Sequence, residues 1–145
     1  TGIYTVLVEG DDMNEPIADA VRSIVDGHIV LDRGLASRGH YPAVNVLSSV
    51  SRLMSEVASP DHRKRAMEFR GLLADFEKIE DLVNVGAYEK GVNHRTDHAL
   101  EMIDELNAFL TQGVDTRAEM EKSIGEMTKL LTVRNLGRAA KTRSR

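Results

Sequence analysis

Between Pro60 and Leu131 the sequence carries three apolar stripes at helical spacing, with no strand-like run among them and no proline after Pro60. Phe69, Leu72, Leu73, Phe76, Ile79 and Val83 form the first stripe. Ala99, Ile103, Leu106 and Leu110 form the second, ended near Gly113. Met120, Ile124, Met127 and Leu131 form the third. A recurrence every three to four residues puts each set on one face of a helix, and such faces are stable only when they cover one another. Ser59 before Pro60 supplies a cap and a first-turn proline, and Thr116 with Glu119 has capping-box spacing. Three amphipathic helices with short links predict a helical bundle.

The first 60 residues read differently. All three prolines, Pro16, Pro42 and Pro60, lie there. Ile3 to Val8 is apolar apart from Thr5 and stops at Glu9-Gly10-Asp11-Asp12, which predicts a short strand buried on both faces. Pro16 then suits the first turn of a helix carrying Ile17, Ala20, Val21, Ile24 and Val25, ended by Gly27. His28 to Leu31 predicts a second strand, and Leu35-Ala36 a helical turn closed by Gly39. The fold class is therefore an α/β segment followed by an all-α helical bundle, with the boundary between Ser55 and Ser59.

Composition narrows the function classes. The chain has 145 residues, 41% hydrophobic and 29% charged, enough to bury a core. It has no cysteine, which excludes disulfides, thiolate nucleophiles and Cys-ligated zinc; a reducing cytosol is the easier fit. It opens on Thr1, as a fragment would, with no signal peptide and no apolar run long enough to span a membrane. Net charge is −4, which disfavours broad nucleic-acid binding. The charge is uneven. Residues 134–145 hold Arg134, Arg138, Lys141, Arg143 and Arg145 and no acid, so taking these five charges away leaves −9 on the first 133 residues. A solvated, disordered tail accounts for this; so does a contact for an acidic partner or membrane surface.

Motif by motif, the residues give little unaided. Gly86-Ala87-Tyr88-Glu89-Lys90-Gly91 meets the first six positions of a phosphate-binding loop, then places Val92-Asn93 where Lys and Ser/Thr are needed. It reads as an interhelical loop. His94 and His98 share a helix face, but two ligands do not make a zinc site and no Glu follows His94. No metal-ligating set emerges. Asp11 and Asp12, with Glu9 and Glu15 nearby, end the first predicted strand, where carboxylates serve as caps, bind metal or form an interaction surface. Arg52 sits in a Ser-rich turn and Tyr41 precedes Pro42; by statistics both are ordinary surface residues.

Four segments in order, GDDMNEPIAD, DGHIVLDR, GHYPAVNV and SVSRLM, change that. With EDLVNVGAYEKG and NAFLTQG in the helical half, the stretch from Tyr4 to Leu131 resembles the C-terminal portion of the flagellar type III export ATPase. That family is related to the catalytic subunit of the rotary ATP synthase. The resemblance implies that residues 1–57 are the end of a P-loop-type nucleotide-binding core and 58–133 a helical C-terminal domain; residues 134–145, outside it, read by their composition as a basic, disordered tail. It implies an ATP phosphohydrolase that energises flagellar protein export as a homohexameric ring, with ATP and Mg²⁺ as ligands of the full-length enzyme. The P-loop, catalytic Glu and Walker B Asp of the family lie upstream of the matching stretch. No cofactor is therefore expected on this chain, nor hydrolysis by it alone.

The resemblance also assigns residues. Arg52 stands at the arginine-finger position, reaching in trans to a neighbour's γ-phosphate, where a planar permanent cation meets developing negative charge. Tyr41 stands where the family stacks an aromatic ring on adenine. Val114 and Met120 fall near the aromatic positions that complete the adenine pocket from the helical side, though neither is aromatic. Asp11, Asp12, Asn14 and Glu15 lie on a loop that faces the central stalk, a coiled coil, where acidic loops would meet basic charge. Asn84 to Asp97 aligns with an acidic lever motif, here mixed in charge. Export chaperones, export substrates and the export gate are the implied partners, and the cytoplasmic, peripheral side of the flagellar export apparatus the implied location. A docking module for stalk, chaperone or substrates, and the injectisome secretion paralogue, are the alternatives; GDDMNEPIAD and VNVGAYEKG favour the flagellar branch.

Overall fold

The computed structural model describes the backbone of residues 1–142, and the side chains of those residues up to 132 except Asp11. A 3₁₀ turn, Glu9–Asp11, precedes α1 (Pro16–Ile24), β1 (Gly27–Leu31), α2 (Arg33–Ser37), β2 (Val44–Ser51) and α3 (Met54–Val57). The helical half follows as α4 (Pro60–Glu77), α5 (Glu80–Asn84), α6 (His94–Leu110) and α7 (Met120–Thr142). The basic tail expected over 134–145 falls on side chains outside the described residues.

The helical core follows the stripes. Phe69 and Leu72 of α4, Ala99, Met102 and Leu106 of α6, and Met127 and Leu131 of α7 are buried against one another. Phe69 and Phe109 meet at tilted rings, 56° between their planes and 5.3 Å between centroids, which avoids the unfavourable face-to-face stack. Ser59 caps α4 by accepting from the His62 amide at 3.2 Å, and Pro60 takes the first turn, where its missing N–H costs nothing. The first stripe is broken in the structure. α4 stops at Glu77, and Ile79 turns the chain into α5 while remaining buried. The expected cap at Thr116 is also corrected. α7 begins at Met120, four residues further on; Thr116 closes a turn with Gly113 by a 3.0 Å bond, and Met120 is exposed.

Two polar clasps fix the helix ends. Asp75 on α4 is buried and accepts from Arg95 Nε at 3.0 Å, Arg95 Nη2 at 2.8 Å and Lys78 Nζ at 3.0 Å. Burial alone raises the Asp75 pKa; the hydrogen bonds from Lys78 and Arg95 outweigh it and hold the carboxyl below its ordinary value of 3.8. The loop between α5 and α6, the near-miss phosphate loop, is tied to the first turn of α6. Tyr88 donates to Asp97 Oδ1 at 2.9 Å and pairs with Thr96 Oγ1 at 2.7 Å, and the Gly91 amide donates to Asp97 Oδ2 at 3.0 Å. Gly91 has φ +98°, a conformation that L side chains rarely adopt, which is why glycine stands there.

In the first half, β1 and β2 pair antiparallel, Gly27 opposite Ser51 and Leu31 opposite Val44. The ladder is interrupted: from His28 to Val30 β1 advances two residues while β2 goes from Val50 to Asn45. The extra residues bulge out, and Ser49 Oγ accepts from the Val30 amide at 3.0 Å in place of a carbonyl. Arg70 of α4 enters the bulge. Its guanidinium donates to the carbonyls of Val46, Leu47 (3.0 Å) and Ser49 (3.0 Å), groups that the ladder leaves free. The Ser-rich stretch 48–51, expected as a turn, is thus the end of β2.

Two further expectations are corrected. Residues 1–8 form no strand; Ile3 and Leu7 are over nine-tenths exposed (94% and 91%). A strand apolar on both faces is stable only when both faces are covered, and residues 1–7 are all exposed. Gly27 opens β1 rather than ending α1, whose last residue is Ile24. Of the α1 stripe, Ile17 and Ile24 are left exposed, while Ala18 is buried.

Two measurements check this account. Leu106→Ala removes a fully buried side chain from the three-helix core and is expected to cost about 2–5 kcal/mol in urea unfolding. For Asp75 the folded pKa is depressed, so its contribution is present above the ordinary value near 3.8 and is lost as pH falls below it. Its partners are mostly exposed, so the contribution is on the order of 1 kcal/mol. Urea midpoints recorded from neutral pH down to about pH 2 should fall less steeply on the acid side for Asp75→Asn than for the parent chain.

Candidate functional site

The residues assigned by resemblance fall into two clusters. The first surrounds α1. Arg52 follows β2 directly, its amide bonded to the Asp26 carbonyl at 2.8 Å. Its exposed guanidinium lies on the C-terminal end of α1, donating to the carbonyls of Arg22 at 2.9 Å and Ser23 at 3.3 Å. These are among the last carbonyls of the helix, which have no partner within it, and a cation there also meets the negative end of the helix dipole. Arg52 is therefore held by main-chain atoms while remaining exposed.

The acidic loop lies at the other end of the same helix. Gly10 has φ +61°, and the Asp12 amide closes the 3₁₀ turn on the Glu9 carbonyl at 3.2 Å. Asp12 Oδ1 accepts from the Asn14 amide at 2.9 Å, a side chain standing in for a turn carbonyl. Asp12 and Asn14 are exposed and Glu15 is half-buried. Arg22 Nη1 donates to the Met13 carbonyl at 3.1 Å, so the loop is fastened to α1.

The second cluster is built on Tyr41. Asp32 caps α2, its Oδ1 accepting from the Leu35 amide at 3.1 Å and its Oδ2 from Asn45 Nδ2 at 3.1 Å. The Asn45 hydrogen bond is the chief reason that its carboxyl stays below the ordinary value. Gly39, at φ +73°, ends α2 and turns the chain toward Tyr41, whose peptide bond to Pro42 is cis. The Tyr41 ring is half exposed (54%), and its carbonyl accepts from the Gln112 amide at 2.9 Å. That bond brings the α6–α7 connection against Tyr41. Val114, two residues on, is fully exposed, and Met120 is exposed at the start of α7. Among the described residues no group of three His, Asp or Glu could hold a metal ion.

A cleft of about 340 Å³ lies between the two halves, lined by Asp32, Arg38, His40 and Asn45 on one side and by Phe76 and Asn107 on the other. An Arg38–Glu80 ion pair at 2.7 Å stands at it. Neither Tyr41 nor Arg52 lines this cleft, so it is not where the assigned residues meet. Asp32, Arg22 and Arg70 escaped the sequence reading. Asp32 has cap spacing to Leu35 and was within reach of the capping rule; the two arginines carry no periodic signal. Among the described residues no helix is long and apolar enough to cross a membrane.

Comparison with known proteins agrees with both halves. Residues 1–51 match the nucleotide-binding domain of the ATP synthase alpha/beta family, and residues 58–129 match the T3SS EscN ATPase C-terminal domain. The chain is 53% identical over 130 residues to the flagellum-specific ATP synthase of Bacillus subtilis, covering 90% of this chain and 30% of that protein. It superposes on the assembled ATPase EscN of the enteropathogenic E. coli type III secretion system with a TM-score of 0.82 and 38% identity, over 88% of this chain and 31% of EscN. The structure of EscN assembled with its central stalk EscO is similar too, at a TM-score of 0.74 and 36% identity over 79% of this chain and 28% of that one. The chain thus spans about a third of the length of these relatives. With both family models met in this order, the chain belongs to the flagellar and type III secretion branch of the ATP synthase alpha/beta family.

Proposed function

We propose that this chain works as the C-terminal part of an ATPase that energises flagellar type III protein export, within a homohexameric ring. Magnesium-ATP is the substrate, bound chiefly by residues outside this stretch. Arg52 is the arginine finger acting in trans, Tyr41 is the adenine stack, and Val114 and Met120 flank the base from the helical half. Asp11, Asp12, Asn14 and Glu15 face a central stalk, with export chaperones, substrates and the gate as further partners at the cytoplasmic side of the apparatus.

The observation that carries this reading is the seating of Arg52. A finger has to be permanently charged, planar and aimed outward. Arg52 is exposed at the end of β2 yet tethered to two main-chain carbonyls, so its position is defined before a neighbour's phosphate arrives. The EscN–EscO assembly supports a stalk partner, and the identity to a flagellum-specific protein supports the flagellar branch.

In the full-length enzyme, Arg52→Ala is expected to lower kcat by roughly 10³-fold with nucleotide binding retained, and Arg52→Lys to recover only a small part, since an ammonium lacks the planar fork. Normal turnover by an assembled Arg52→Ala ring would remove the finger from this account. Tyr41→Ala is expected to raise KM for ATP on the order of tenfold with kcat little changed, and Tyr41→Phe to behave as the parent, because the ring and not the hydroxyl does the stacking. Equal KM values for the alanine and phenylalanine variants would count against that role.

A further inference from the structure

We propose that Arg22 is a positioning residue that joins the acidic loop to Arg52. The inference rests on the roles given above to Arg52 and to residues 11–15. Arg22 lies in the last turn of α1 and is bonded at both of its ends. Its guanidinium donates to the Met13 carbonyl at 3.1 Å, and its own carbonyl accepts from Arg52 Nη2 at 2.9 Å. Helical side chains lean toward the helix N-terminus, which is how a residue at one end of α1 reaches the loop that leads into the other. The neighbouring Ser23 carbonyl takes the second Arg52 bond.

One residue therefore touches both elements. A displacement of the loop pulls on the Arg22 side chain, and Arg22 belongs to the helical turn on which the Arg52 guanidinium rests. The alternative route runs through the whole length of α1. Arg22 is half-buried, and its Nε is enclosed without a hydrogen-bond acceptor in the protein, so the guanidinium has a donor to spare when the loop shifts. α1 is short, nine residues, and can move as one piece. In this arrangement the loop informs Arg52 of its position without contacting it.

The test is a double-mutant cycle on kcat in the full-length enzyme. Met13→Gly loosens the loop backbone, and Arg22→Ala removes the tie while keeping the carbonyl that holds Arg52. Met13→Gly is expected to lower kcat on the order of tenfold in the parent, since a displaced finger loses its alignment, and less than twofold in Arg22→Ala. Arg22→Lys, which still donates to the Met13 carbonyl, is expected to restore the sensitivity. KM for ATP should stay level throughout. Equal effects of Met13→Gly in the two backgrounds, or no effect in the parent, would overturn the tie. Arg52→Ala measured in parallel separates the two ideas: if it turns over normally the role of Arg52 falls and this inference with it, whereas a crippled Arg52→Ala with additive Met13 and Arg22 effects overturns the tie alone. Circular dichroism and ring assembly guard against misfolding; should Arg22→Ala fail them, Arg22→Met, of similar length and without a donor, carries the same comparison.

Discussion

The guanidinium of Arg70, set among the carbonyls of Val46, Leu47 and Ser49, is the contact through which the two halves of this molecule share one frame. A strand that leaves its ladder strands its carbonyls, and each buried carbonyl without a donor costs about 1–3 kcal/mol. Three donors from one planar cation meet that need at once, which a lysine could not do with the same geometry. The helical half thereby fixes the path of β2, and β2 fixes where Arg52 emerges. Packing between the halves is otherwise thin. Arg38 pairs with Glu80 at 2.7 Å, Arg63 donates to the Ser55 carbonyl at 3.0 Å, and the Gln112 amide donates to the Tyr41 carbonyl.

The helical half is organised by burial, the first half by hydrogen bonds. Phe69, Met102, Leu106 and Leu131 pack α4, α6 and α7 together, and the Asp75–Arg95 clasp adds a polar tie between α4 and α6. The first half has Ala18 as its one buried apolar residue among those described, and Ile3, Leu7, Ile17 and Ile24 stay in solvent. A domain that buries so little on its own is what a stretch amounting to the end of a larger nucleotide-binding core looks like, and the match of residues 1–51 to such a core agrees. The residues proposed above for function sit in this sparsely packed half, on the α6–α7 connection or at the start of α7.

Helices were legible because their signal is local. Ser59-Pro60, the stripes through Phe69 and Leu106, and the break near Gly113 all depend on neighbours within four residues, and the structure follows them. Where legibility failed, the missing information lay elsewhere in space. Ile3 to Val8 has strand composition, yet a strand exists only with a partner. Thr116 has capping spacing, but a turn on Gly113 competes for the same residues and wins. Met102 was passed over because a stripe drawn through Ile103 fits the period equally well; only the packing of α4 and α7 decides which side faces in. Of the candidate site, Tyr41 and Arg52 were visible only through resemblance. Their supports were not, because Arg70 and Arg22 act on carbonyls, and a carbonyl looks the same in every residue.

That last feature reaches beyond this one chain. The bonds donated by Arg22, Arg52, Arg63, Arg70 and the Gln112 amide end on main-chain oxygens: those of Met13, Arg22, Ser23, Tyr41, Val46, Leu47, Ser49 and Ser55. Side chains on the accepting side take no part in these bonds. Drift can recolour the surface at Ser55 for a new partner while Arg63 keeps its grip. A scaffold wired this way separates the residues that evolution must keep from those it can spend on choosing what docks there.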